Sequence, residues 1–484
     1  MSKNINIKNR EAYENAVERC REKGITIPTI AMQKNPELIP EDIKSKLQAI
    51  DITAIDPLNL YRITWKNDPE TGLFNDGNIV EFPSELTGVD ARIIGIVGKW
   101  FPTGSHKVGA AFGCLVPELV TGGFDPITQK AVWPSTGNYC RGGAFDSALL
   151  GCESIAILPE EMSQERFDWL SKVASETIAT PGCESNVKEI YDKCWEIKRT
   201  RPECMVFNQF EEWGNSRWHY HVTASIVEEQ FNRLKKPGQR LSAWVSATGS
   251  AGTIAAGDYL KTIAPDVIVS ASEALQCPTL LSCGFGGHRI EGIGDKHVPW
   301  IHNVRNTDLV TAVDDQVCMN LLRLFNEEVG HKALSKSGIS NDLIDQLKLL
   351  GISSISNLLS AIKTAKWYEM DGRDVIFMPL TDSADLYKSR LVELEAEYGK
   401  YNNEDALRHI AADLQGCTTD NARELSFHDR KQLHNFKYFT WVEQQQRNVD
   451  ELRELWDRDF WPEMYAGATE WDAAIEKFNA DVKA

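Results

Sequence analysis

The chain has 484 residues, about three times the ~150 typical of one domain, so it can bury a large core and divide into two or three lobes. Hydrophobic residues at 42% and charged residues at 25% match ordinary globular usage and exclude wholesale disorder or a fibrous repeat. Lys plus Arg number 52 against 70 Asp plus Glu, a net charge of −18; this field repels nucleic acid and anionic membrane, so neither is expected as a partner, and an anionic ligand needs a local positive site.

The first segment, MSKNINIKNREAYENAVERC, is polar and lacks the apolar core of a signal peptide, so a cytoplasmic location is expected. Apolar runs such as Ala111 to Val116 fall far short of the ~18 residues of a membrane helix. From about Asp90 to Val269, short β-branched runs alternate with helix-like stretches. The strand-like runs are ARIIGIVGKW, AVWPSTGN, SIAILPE, TIATPG, MVFNQF, LSAWVSATG and VIVSASE. Interleaved are GAAFGCLVPELV, GAFDSALLG, SQERFDWLSKVAS and SIVEEQFNRLK, whose apolar spacing suits helices. Strand then helix, repeated, predicts a parallel sheet covered on both faces, with ligands beyond the carboxyl ends of the strands. After about Ser389 the strand-like runs stop and a helical extension is predicted. Its Phe436, Phe439, Trp456, Phe460 and Trp461 either dock these helices on the core or form an interaction surface or lid.

Three loops lead from strand-like into helix-like runs. In WFPTGSHKVGAAFG, Lys107 opens a helix, where burial near the positive dipole end favours a nucleophilic amine, although alone it also reads as a surface charge. In AVWPSTGNYCRGGAF, Ser135, Thr136, Gly137 and Asn138 suit a carboxylate or ring hydroxyl, or equally a helix cap. In WVSATGSAGTIAAG, Gly249, Ser250, Ala251, Gly252 and Thr253 can aim backbone N–H groups at a phosphate, without the GK[ST] of an ATP loop or the G-x-G-x-x-G of a dinucleotide fold.

In order and spacing, these loops resemble the fold-type II pyridoxal-phosphate enzymes, specifically the cysteine synthase and cystathionine β-synthase family. FPSELTG, GSHK, STGN, NQF, NSRWHYHVTASI, GSAGTIAAG, EGIGDKHVP, GISS and MPLTDSADLY carry the resemblance, from about Ile55 to Tyr387. It implies an α/β, tryptophan synthase β-like fold: two open parallel-sheet lobes wrapped by helices, with residues 1–400 catalytic, a smaller mobile lobe near 131–225, and 401–484 the helical extension. Pyridoxal 5'-phosphate is the implied cofactor, and a homodimer the implied assembly. Lys107 would form the Schiff base and remove the α-proton; Asn138 would meet the ring hydroxyl. Ser135, Thr136, Gly137 and Tyr139 would line the substrate site, with Gly292 and Gly294 leaving room beside it. Gly249 to Thr253 would cradle the phosphate, and Ser383, favoured over Thr381, would meet the pyridine nitrogen. A hydroxyl there supports less carbanion storage than an aspartate, favouring loss of a β-substituent to an aminoacrylate.

Departures from the family pattern are also legible. Tyr139 and Cys140 follow STGN where a small residue and glycine are usual, so the pocket is expected to be reshaped. Arg141 next to them suits an acidic substrate or is simply solvated. Ala251 is read as a mild change, because most phosphate contacts come from backbone. Ile355 replaces a usual glycine after GISS, and an insertion is expected between Glu328 and Leu350. His219 and His221, two apart, do not suit a metal site, and none is expected. Eleven cysteines without a CxxC pair predict reduced thiols; Cys277 and Cys283 flank a loop near the site, where inert thiols are expected. The implied reaction is β-replacement or β-elimination on a small L-amino acid of the serine, O-acetylserine or cysteine type, with a sulfur nucleophile as second substrate. A serine or threonine dehydratase-like deaminase and a non-catalytic scaffold are the alternatives.

Overall fold

A computed structural model of the protein describes residues 6–484 except Thr136, Glu184, Ser185 and Asp295. Among the described residues, eleven strands form two sheets: β1 (Ile79–Phe82), β2 (Arg92–Val97), β3 (Lys130–Pro134), β4 (Glu153–Pro159), β5 (Glu176–Thr180), β6 (Cys204–Val206), β7 (Arg240–Ala247), β8 (Ile268–Ala274), β9 (Leu309–Val313), β10 (Asp374–Leu380) and β11 (Ala422–Glu424). The larger sheet runs β1-β2-β10-β7-β8-β9-β11, the smaller β5-β4-β3-β6. All strands of the smaller sheet are parallel, as are β2 through β9 of the larger, while β1 and β11 pair antiparallel at its two edges.

Sequence explains this division. RIIGIV of β2 and DVIFMPL of β10 are buried along almost their whole length, as expected where helices cover both faces of a parallel sheet. The helix Ile352–Trp367 lies along the larger sheet, and hydroxyls pair across that contact: Ser360 Oγ donates to Ser272 Oγ at 2.7 Å and Thr364 Oγ1 to Ser270 Oγ at 3.0 Å. Small hydroxyl residues thus allow close approach without leaving a buried polar atom alone.

Parallel strands direct their carboxyl ends the same way, and four of the singled-out segments lie there. The loop to Lys107 follows β2, Ser135–Asn138 follows β3, Gly249–Thr253 follows β7 and Thr381–Ser383 follows β10. Between Glu328 and Leu350, where an insertion is expected, the chain forms the helices Glu328–Lys336 and Asn341–Gln346, and Ala333, Leu334, Leu343 and Ile344 join the core.

The two chain ends share one layer. The terminal helix Ala468–Lys483 packs on the first helix, Arg10–Lys23, with Phe478 edge-on to Tyr13 at 5.7 Å. Asp472 accepts from the backbone of Ile30 and Ala31, and Asn479 brackets the backbone of Ile27. The extension is not wholly helical: β11 adds a strand to β9. Of its aromatics, Trp461 is buried, joining Trp441, Tyr465 and Trp300 in a satellite core, whereas Phe439 is exposed. The docking role therefore dominates. No helix among the described residues is long and apolar enough to cross a membrane.

Candidate active site

Lys107 is the first residue of the helix Lys107–Thr121 and only 9% exposed. Its Nζ donates to Ser250 Oγ at 3.2 Å, and Asn215 Nδ2 donates to the same hydroxyl at 3.0 Å. The amine is thus held against the loop expected to cradle phosphate, 143 residues away in sequence. That loop, 249–253, turns directly into the helix Ala255–Ile263, so its backbone N–H groups cluster at a positive helix end. A Cβ at Gly252 would lie 2.0 Å from Asn215 Oδ1, so only glycine lets Asn215 reach Ser250. Thr253 is fixed by Ser246, whose hydroxyl donates to Thr253 Oγ1 at 2.8 Å. Behind Lys107, His106 stacks on Trp65 at 5.4 Å and meets His219 edge-on at 5.1 Å. Burial, reinforced by the neighbouring Lys107 charge, holds His106 well below the usual imidazole range, so it is neutral.

The second loop meets the end of β10 through a buried polar network. Asn138 Nδ2 donates to Asp382 Oδ2 at 2.6 Å, and Tyr387 OH donates to the same oxygen at 2.7 Å. Arg166 donates to Tyr387 OH at 3.0 Å and pairs with Glu291, which also accepts from Arg390 at 2.8 Å. Burial raises the Asp382 carboxyl above its usual range, and Arg166 opposes that rise. This network ties the smaller sheet's helices to the larger sheet, assisted by Glu165, which accepts from the Ser389 backbone and hydroxyl. Sequence reading missed Asn215, Asp382, Arg166 and Glu291 as site members. Each sits inside a quoted motif, but none carries a local signal of the partner it meets.

Several sequence expectations need correction. Tyr139 does not line the loop's substrate side: it is fully buried, its ring edge-on to Trp133 at 5.4 Å and its hydroxyl against the Cys114 thiol. One position along a helix turns a side chain about a quarter-turn, and here that turn sends it into the core. Cys140 likewise faces inward and donates to Gly137 O at 2.9 Å. Arg141 is not solvated; it is 5% exposed, with its guanidinium 4.8 Å over the Trp169 ring. Burial, then the charge of Arg166, pushes it down to about 10. Ala251 is a larger departure than one methyl suggests, since its φ of 60° lies in the left-handed region that favours glycine.

The remaining candidates fall near the same strand ends. Ser135 Oγ accepts from Gly137 N at 3.1 Å, while Thr136 lies outside the described residues. Ser383, 2% exposed, stands just before a short turn and beside Asp385, and Thr381 is 8% exposed at the strand end. Gly292 and Gly294 have φ of 99° and 81°, and a Cβ at Gly292 would meet nothing nearer than Ser353 Oγ at 3.9 Å. Cys277 is buried and Cys283 exposed. His219 and His221 lie in a π-helical turn, His219–Thr223, with Nδ1 of His219 2.7 Å from Thr223 Oγ1.

A family model described as "Pyridoxal-phosphate dependent enzyme" matches residues 101–341, the stretch that holds Lys107 and the cradle loop. Cysteine synthase B of Campylobacter jejuni is 30% identical over 289 residues, which cover 60% of this chain and 87% of that protein. The chain belongs to the cysteine synthase and cystathionine β-synthase family of fold-type II pyridoxal-phosphate enzymes. A probable cysteine synthase of Bacillus subtilis is 27% identical over 289 residues, 60% of this chain and 85% of that one. The fold likeness extends to the crystal structure of O-acetyl serine sulfhydrylase isoform 3 from Entamoeba histolytica. It has a TM-score of 0.57 at 23% identity, covering 70% of this chain and 93% of that one.

The protein is a pyridoxal-phosphate-dependent enzyme, and its residues fit that group. A buried amine stands beside an N–H-lined cradle at a helix start. Around it are buried polar atoms with no partner among the described residues, Asn138 Oδ1 and Ser353 Oγ, and the space beside Gly292. A polar, phosphate-bearing aromatic ring satisfies such a set better than apolar packing does.

Proposed function

We propose that the protein catalyses β-replacement on a small L-amino acid of the serine or O-acetylserine type, with a sulfur nucleophile such as sulfide as second substrate. The observation that carries this reading is the Lys107 amine, buried at a helix start and 3.2 Å from the Ser250 hydroxyl of the cradle loop. Likeness to relatives named cysteine synthases supports the same reading.

When bound, pyridoxal phosphate supplies an electron sink conjugated to the substrate α-carbon. Gly249, Ser250, Ala251, Gly252 and Thr253 hold the phosphate, mainly through backbone N–H groups. Lys107 carries the cofactor until substrate arrives and then takes the proton from the α-carbon, with Ser250 orienting the amine. Ser135, Gly137 and the N–H groups at the start of the Asn138 helix bind the substrate carboxylate, a role extended to Thr136. Asn138, its Nδ2 engaged by Asp382, offers Oδ1 to the ring hydroxyl. Ser383 serves the ring nitrogen in preference to Thr381. Gly292 and Gly294 leave space for the substrate.

The test is to supply the loaded enzyme with O-acetyl-L-serine, with and without sulfide. Cysteine as the main product with sulfide supports replacement. Pyruvate and ammonia as the main products under both conditions overturn it in favour of elimination. The same reading makes the protein a cytoplasmic homodimer, and light scattering that returns the mass of a single chain contradicts the dimer.

A further inference from the structure

Far from Lys107 in function, a cleft of about 560 Å³ opens between the C-terminal extension and the body. That volume lies in the range of small-molecule sites. Its lining combines flat aromatic faces with clustered cations, in a protein whose net charge is −18.

The cations arise from separate elements: Lys261 from the helix after the cradle loop, Arg305 from the loop before β9, and Arg430 and Arg458 from the extension. Lys261 and Arg430 are neutralised together by Asp308, at 2.7 Å each. Arg305 and Arg458 take part in no ion pair among the described residues. Arg305 donates to the Trp456 carbonyl and lies 4.7 Å over the Trp456 ring. Burial and then the charge of Arg458 depress its pKa, with Asp457 opposing and Arg430 adding to the depression. Beyond that pair, Arg305 and Arg458 face one lining carboxylate, Asp258, which accepts from Asn303, Asn306 and Tyr465. Burial raises Asp258 to about 6, opposed by those three hydrogen bonds and by the charge of Lys261.

The apolar side is equally specific. Phe427 is 63% exposed and stands edge-on to half-buried Trp456 at 5.8 Å, leaving aromatic surface in water. Exposed aromatic faces beside unpaired guanidinium groups recognise a planar ring carrying an anion better than either feature recognises water.

We propose that this cleft is a second ligand site, separate from the catalytic one, for a small planar-ring anion of the mononucleotide class. The ring stacks on the exposed face of Phe427, since Trp456 is already covered by Arg305 and Lys431, and the phosphate takes Arg305 and Arg458.

The test uses full-length protein already loaded with pyridoxal phosphate, so that the catalytic cradle is occupied. Isothermal titration with AMP, GMP, CMP and UMP is compared with adenosine and with inorganic phosphate. At least one nucleoside monophosphate is expected to bind saturably, more tightly than either adenosine or phosphate. Arg305→Gln and Arg458→Gln are each expected to weaken it by about tenfold. Arg458 is exposed, so its variant separates loss of binding from loss of fold. Failure of all four nucleotides to bind overturns the site. So does binding that survives both substitutions, and phosphate alone binding as tightly as the nucleotides removes the role of the ring.

Discussion

The catalytic cleft and the docked extension solve opposite problems with buried polar groups. Around Lys107, groups are paired sideways to other polar atoms while some acceptors, such as Asn138 Oδ1, stay open. In the satellite core where the extension docks, polar atoms close off inside an aromatic packing. Lys437 is fully buried, held down to about 7 by that burial, and donates to the backbone carbonyls of Trp300 and His302 at 2.9 and 2.7 Å. Trp441 donates to Val298 O at 2.9 Å and is likewise fully buried. The catalytic cleft keeps polar capacity in reserve for a ligand; the satellite core around Trp300 and Trp441 uses it to fix a docked layer. Substitutions in the first should therefore cost chemistry, and in the second, stability.

The largest expected effect is Lys107→Ala, with a loss of activity of at least about 1,000-fold and a melting temperature that scarcely changes. A melting transition lowered as much as the activity would merge the two regions and break the contrast. Trp441→Ala should do the reverse: a loss of about 3–5 kcal/mol in urea unfolding, with turnover per folded molecule retained.

Asp382→Ala sharpens the comparison because Asp382 belongs to both worlds. It is fully buried, and its removal leaves Asn138 and Tyr387 without their shared acceptor and takes away a carboxylate 4.0 Å from Arg166. About 3 kcal/mol of stability should go, together with activity, as Asn138 loses its orientation. A variant that loses only stability would remove the network from the catalytic site.

These pairings also mark how far the sequence could be read. Lys107, the STGN loop and the cradle loop were legible because each is a local feature, a strand end opening into a helix. Strands such as β2 and β4 were legible because burial on both faces demands unbroken apolar runs. By contrast β11, ARE, has no strand propensity of its own and exists through pairing with β9. The Asn138 to Asp382 bond joins residues 244 apart, and nothing local in either announces the other. Tyr139 and Arg141 were misread for a related reason: which face of a helix meets the core depends on what packs there, here Trp133 and Trp169.

A smaller effect concerns acid. His297 and His302, at the seam between body and extension, are held down to about 3, in both cases chiefly by burial. Unfolded histidine titrates near ~6.5, so below that pH the unfolded chain binds protons that the folded chain refuses. Stability should fall as pH drops from about 6.5 towards 3, by up to about 1.4 kcal/mol per pH unit for each histidine. Urea midpoints between pH 7 and 5 measure this. His302→Asn should flatten the slope, and an unchanged slope would free the seam from these groups.

The central claim is that Lys107 is the cofactor-bearing residue. Borohydride reduction of the loaded enzyme followed by peptide mass spectrometry tests it most directly. A pyridoxyl-phosphate mass on the peptide containing Lys107, absent from Lys107→Ala, is the predicted result; the label on a different lysine, or persisting in that variant, contradicts it.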